Sequence, residues 1–264
     1  MKTKIFILTL ATIFLIACGK DLMVYETNIN TPVIESYLFT DASELSVKVY
    51  SMESFNEEHN IYSNPIKNLS LYINDILLTE SYDGTYTLKN AGEGILNAGK
   101  ICNLKFEYNN QTISATASMP SKTQDIQISQ SVIYREAYAG FLGYDTIPDV
   151  VITWDNPNNS YYQVYINSID QSTGSIPYNK EGFGKMMMQP FIGNSYTLKR
   201  QDMDYFGRYI CVLYKVSNEY AELYERISSS DLANPVSFIE NGLGIFTGIS
   251  SDTISYTVVE ISNE

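Results

Sequence analysis

Val150-Val151-Ile152-Thr153-Trp154-Asp155-Asn156-Pro157 leads, three residues later, into Tyr161-Tyr162-Gln163-Val164-Tyr165-Ile166. The first run is apolar and β-branched and ends on the chain's single tryptophan. An Asn-Pro turn interrupts it. The second run has Tyr, Val and Ile at alternate positions. Two short strands joined by a turn are the expected reading, because β-branched and aromatic side chains fit a pleated, half-buried surface and Pro cannot continue a strand.

The same pattern extends to both sides. Pro32 to Leu38 reads as an opening strand, and Leu45 to Tyr50 alternates cleanly as a second. Leu69–Ile73 and Ile76–Thr79 flank Asn74-Asp75, a two-residue hairpin loop. Ser81 to Tyr86 holds another tight turn. Ile101–Tyr108 and Thr112–Ala117 flank Asn109-Asn110-Gln111. Asp125 to Tyr134 reads as one strand, Arg135 to Asp149 as a loop, Gly207 to Val216 as a long Tyr-bearing strand, and Ile254 to Val259 as the closing strand. Tyrosine supplies 22 of the 264 residues. Many short strands with regular turn signals predict a mainly β protein made of sandwiches. One segment departs from this. Ser217 is a plausible N-cap, and Tyr220, Leu223, Tyr224 and Ile227 recur at helical spacing, so a short amphipathic helix is expected over 217–230.

The organisation expected is a leader at 1–17, a tether at 18–30, an N-terminal immunoglobulin-like sandwich at 31–120, and a C-terminal β domain at 121–264 that carries the helix. Ser118-Met119-Pro120-Ser121 is the natural boundary. The strand, Pro turn and strand around Trp154 resemble a fibronectin type III domain, in which such a tryptophan is a core residue.

Lys2 and Lys4 precede a thirteen-residue apolar run, Ile5 to Ala17. That matches a secretory leader and is too short to span a bilayer comfortably. Leu15-Ile16-Ala17-Cys18-Gly19 resembles a bacterial lipobox, which implies acylation of Cys18 and an outer-membrane lipid anchor. Asp21 behind it loosely resembles a surface-export signal. Cys102 and Cys211 remain. A disulfide would suit an oxidising compartment, but both lie in apolar β-like runs, which favours two buried thiols.

The chemical inventory is thin. Net charge is −13, which argues against a nucleic-acid partner, since phosphate binding needs a basic face. One histidine and three cysteines leave little for zinc or for a His-based triad. His59, in Asn56-Glu57-Glu58-His59-Asn60, reads as a solvated loop tip. Asp202-Met203-Asp204 offers two carboxylates to Ca²⁺ without the spaced partners of a calcium loop. No cofactor, metal or catalytic residue is therefore expected. The candidate contact surface is Tyr161, Tyr162, Phe183, Met186, Met187 and Met188, aromatic and adaptable side chains suited to a small-molecule or glycan ligand.

The tail Asn234-Pro235-Val236-Ser237-Phe238-Ile239-Glu240-Asn241-Gly242-Leu243-Gly244-Ile245-Phe246-Thr247-Gly248 resembles the end of a Bacteroidota lipoprotein family known as domain of unknown function 4249. That family closes on a double glycine where this chain has one. Cys18, Val33-Ile34-Glu35, Met119-Pro120 and the helix near Tyr220 fall in the family's order. The resemblance implies a non-enzymatic outer-membrane lipoprotein acting beside a TonB-dependent receptor. The glycines themselves read as structural, with Leu243, Ile245 and Phe246 filling a core.

Overall fold

The computed structural model describes residues 31–51, 64–91, 94–135, 150–170, 185–199, 202–203, 205–228 and 237–260. Cys18, His59 and Phe183, the leader and the tether lie outside them.

The first part of the chain holds β1 (Pro32–Phe39), β2 (Glu44–Ser51), β3 (Asn64–Pro65), β4 (Tyr72–Ile73), β5 (Ile76–Leu77), β6 (Thr79–Tyr82), β7 (Thr85–Lys89), β8 (Ile101–Tyr108) and β9 (Gln111–Ser118). Buried and exposed residues alternate along β2 and β8, as a strand with one face on a core requires. The turns follow their residues. Asn74 and Asp75 both take positive φ, as do Asn109 and Asn110, the backbone of a two-residue type I′ hairpin. Gln111, expected in the second of these loops, instead pairs with Tyr108 and opens β9.

The remainder holds β10 (Gln124–Ile128), β11 (Val132–Arg135), β12 (Val150–Asp155), β13 (Tyr161–Ser168), β14 (Lys185–Met187), β15 (Phe191–Ile192), β16 (Ser195–Leu198), β17 (Gly207–Val216), helix α1 (Asn218–Ser228), β18 (Ile239–Glu240) and β19 (Leu243–Glu260). The protein is mainly β, and α1 is the one helix among the described residues. The single strand expected over 125–134 is two. β10 pairs with β12, and β11 pairs with β19 in another sheet. The chain changes sheets at Ser129-Gln130-Ser131, which carry neither Gly nor Pro to announce it.

Eleven strands form one large sheet. Its path is β14-β13-β17-β19-β1-β2-β7-β6, with β11 on β19, β15 on β13 and β3 on β2. Two smaller sheets cover it, β18-β9-β8-β4-β5 and β10-β12-β16. Two cores result. The first joins Ile34, Leu38, Val47, Val49, Leu71, Tyr86, Leu104 and Phe106. The second joins Ile152, Trp154, Tyr162, Val164, Ile166, Cys211, Leu213 and Tyr256. Trp154 is a core residue, with its ring 5.3 Å from that of Tyr162. Cys102 and Cys211 are buried free thiols, one in each core.

β19 is common to both cores. Its first half runs parallel to β1, from Val33 opposite Leu243 to Phe39 opposite Ile249. Its second half runs antiparallel to β17, from Ile249 opposite Val216 to Val258 opposite Gly207. The closing strand expected at 254–259 is thus the end of an 18-residue strand. Ile239 and Phe246 return to the first core, so residues after 121 serve both. The tail glycines allow this. Gly244 has φ +102, and a Cβ there would overlap the carbonyl oxygen of Ile34. A Cβ on Gly248 would overlap the carbonyl oxygen of Ser118. Both approaches are backbone on backbone, which only Gly permits.

The segment between the cores is tied down. Thr40 Oγ1 donates to the Pro120 carbonyl at 2.9 Å and Ser250 Oγ to that of Ser121 at 3.0 Å. The Thr123 amide donates to Asp252 at 2.9 Å, and Lys122 pairs with Asp41 at 3.2 Å.

Candidate functional site

Helix α1 forms where its cap predicts. The Tyr220 amide donates to Ser217 Oγ at 3.1 Å, satisfying one of the free donors of the first turn. Glu219 stands in the first turn and Arg226 in the last, each favourable to the helix dipole. Arg226 also bonds Glu222 one turn back at 3.0 Å. Ser217 Oγ lies 3.0 Å from Thr247 Oγ1, which fixes the helix start over β19.

The helix packs on the outer face of the large sheet. Tyr220 donates its hydroxyl to Gln163 Oε1 at 3.0 Å, and Gln163 Nε2 donates to the Met188 carbonyl at 2.9 Å. Gln163 is therefore buried and satisfied at both ends. The Tyr220 ring meets Tyr37 edge-on at 6.4 Å and Tyr224 at 6.3 Å. Phe39 and Tyr214 form a second ring pair, with centroids 6.4 Å apart. Tyr37 and Phe39 are about two-fifths exposed, at 41% and 40%. Burial lifts the Tyr220 phenol above its ordinary pKa. Its bond to Gln163 opposes this, and the Tyr37, Tyr224 and Tyr214 hydroxyls add smaller raises. The result is an aromatic row of Tyr224, Tyr220 and Tyr37 across α1 and β1, with the Phe39–Tyr214 pair beside it on β1 and β17.

The row ends at an open groove of about 460 Å³ between α1 and the β13–β15 edge. Tyr161, Gln189 and Pro190 line one side, and Asn218, Ala221, Glu222, Tyr224 and Glu225 the other. The volume falls in the range of small-ligand sites. None of these side chains is cationic. Arg226 partly balances Glu222 from the side.

The candidate contact residues divide. Tyr161 lines the groove. Tyr162 does not belong to that surface. It is 1% exposed and packs on Trp154, because neighbouring residues of a strand face opposite ways. Met187 is exposed, and its backbone pairs with Tyr165. Met188 is half-buried and packs against the second core. Met186 pairs with Ile166 through its backbone, and its side chain lies outside the described residues, as does all of Phe183.

A buried polar cluster in the second core was not foreseen. Arg135 is fully buried and donates Nη1 to the Met203 carbonyl at 2.6 Å. Asp202 Oδ2 accepts the Tyr196 hydroxyl at 2.6 Å and the Lys199 amide at 2.7 Å. These contacts make Asp202 a structural acceptor rather than half of a surface calcium pair, and Asp204 lies outside the described residues. Tyr209 and Tyr256 stack nearby with centroids 5.1 Å apart. Burial, with the Asp202 charge added, pushes the Cys211 thiol up to about 12, and burial alone pushes Cys102 up to about 11. Both are therefore protonated and poor nucleophiles at neutral pH. Tyr196 and Tyr256 are raised further by burial.

Among the described residues, no group of three or more His, Cys, Asp or Glu side chains could hold a metal ion, and no helix is long and apolar enough to cross a membrane. No protein-family model matches the chain, and no curated protein matches it.

Proposed function

We propose that the protein is a non-enzymatic lipoprotein, anchored in the outer membrane through acylated Cys18, that binds a ligand beside a TonB-dependent nutrient receptor. The observation that carries the binding role is the aromatic row running into the Tyr161–Tyr224 groove. Tyr37 is exposed and Tyr220 and Tyr224 are half-buried, and their rings touch one another instead of being scattered singly. The anchor is supported by Lys2, Lys4, the apolar run to Ala17 and the lipobox-like Cys18. The receptor association is supported by the ordered resemblance in the tail, the boundary and the helix.

The test is affinity purification of the full-length acylated protein from native membranes in mild detergent, with mass spectrometry of what accompanies it. A TonB-dependent receptor in near-equal amount is the expected result. Recovery of the protein alone overturns the association. It would favour a second reading, a free-standing surface carbohydrate-binding or adhesion protein, for which the same aromatic row is the supporting observation.

A further inference from the structure

We infer that the groove between α1 and the β13–β15 edge binds a linear, uncharged oligosaccharide, with the aromatic row extending its track along the sheet. This rests on the ligand-binding reading above and names the ligand class.

The lining chemistry selects this class. Tyr161 and Tyr224 bring flat, partly exposed rings to the two walls. Such rings combine apolar contact area with a polar tip at little entropic cost, which suits the C–H faces of a pyranose. Gln189 and Asn218 supply amides that both donate and accept, and Glu222 and Glu225 supply acceptors. Paired donors and acceptors around aromatic walls match vicinal hydroxyls. An anionic ligand is disfavoured because the lining holds no Lys, Arg or His and the whole chain carries −13. A cationic ligand is less well served, because Glu222 already bonds Arg226. The groove's volume of about 460 Å³ exceeds one sugar ring. The row from Tyr224 through Tyr220 to Tyr37, stepping 6.3 and 6.4 Å, offers further aromatic contact beyond the groove. A chain of sugars, and not a branched or compact one, fits that layout.

The experiment uses the full acylated protein in a polyoxyethylene detergent, which has no sugar headgroup. It is applied to an array of neutral glucans, xylans, mannans and galactans, with polylysine as a cationic peptide control. Calorimetry on the strongest glycan then compares the wild type with Tyr224→Ala, Tyr161→Ala and Tyr82→Ala. Tyr82 is 65% exposed on β6, away from the groove. Binding to a neutral glycan is expected, weakened at least about tenfold by Tyr224→Ala and by Tyr161→Ala and unchanged by Tyr82→Ala. Tyr224→Phe is expected to retain most of the affinity. If Tyr161→Ala fails to fold, the helix variants carry the test, since Tyr224 lies outside both cores. A blank array overturns the inference, as does glycan binding indifferent to Tyr224→Ala or a preference for polylysine. A blank array with the receptor still co-purifying removes only the ligand class. A blank array without the receptor removes the reading beneath it as well.

Discussion

Replacing Gly244 by alanine tests the junction on which both cores depend. Two costs add at this position. The first is conformational. At φ +102 an L-residue is strained, by about 1–2 kcal/mol. The second is steric. The new Cβ would overlap the Ile34 carbonyl oxygen and stand 2.9 Å from the Ile34 amide nitrogen and 3.0 Å from its carbonyl carbon. These atoms are backbone of β1, and the Ile34 side chain is fully buried, so no flexible group can give way. Relief requires β1 and β19 to separate locally. Two ladder hydrogen bonds lost at about 1 kcal/mol each give roughly 2 kcal/mol more. The expected total is about 3–4 kcal/mol, at the upper end of single substitutions. Gly94→Ala is the matched control. Its φ is +110, and nothing lies within 4 Å of the Cβ, so only the first cost applies. Urea denaturation should therefore show Gly244→Ala destabilised by about 2 kcal/mol more than Gly94→Ala, with an unchanged m-value. Equal losses at the two glycines would refute the close approach of β19 to β1 as a stabilising constraint.

Three further outcomes are expected. Tyr196→Phe should cost about 2 kcal/mol by urea denaturation, because it strips the buried Asp202 carboxylate of a 2.6 Å hydrogen bond. Stability should fall as pH rises above 9. Unfolded thiols release protons near 9 while Cys102 and Cys211 hold theirs to about 11 and 12, so the unfolded state binds fewer protons across that window. Melting temperature against pH should show this slope flattened, though not abolished, by Cys102→Ala with Cys211→Ala, since the buried tyrosines act in the same direction. Cys18→Ser should abolish incorporation of radiolabelled palmitate and move the protein from the membrane to the soluble fraction of lysed cells. Retained label would remove the anchor.

The local structure was largely legible in the sequence. Alternation marked β2, Asn74-Asp75 and Asn109-Asn110 marked the tight hairpins, and Ser217 marked the start of α1 to within a residue. Partnership between strands was not. A period of two tells that Val33 to Phe39 is a strand and says nothing about which strand lies beside it. Parallel pairing of β1 with β19 leaves no turn signal, because the connection is most of the chain. The sheet change between β10 and β11 was hidden for a related reason, since Ser-Gln-Ser is compatible with continuing straight on. Tyr162 could have been separated from Tyr161 in advance, as strand neighbours never share a face. The groove itself had no sequence signature. Tyr161 and Tyr224 are brought together by the docking of α1, which the Tyr220–Gln163 and Ser217–Thr247 hydrogen bonds hold in place.

The order in which the shared strand leaves the ribosome bears on how the protein is made. Val33 and its partner Leu243 are 210 residues apart. At 5–20 residues per second, β1 waits roughly 10–40 s for synthesis of the segment that will flank it. Throughout that interval one side of β1 is an unpaired edge of Val, Ile and Leu, the kind of template on which chains join one another. A chain of this topology gains from a holding chaperone that covers an extended apolar strand until its partner has been made.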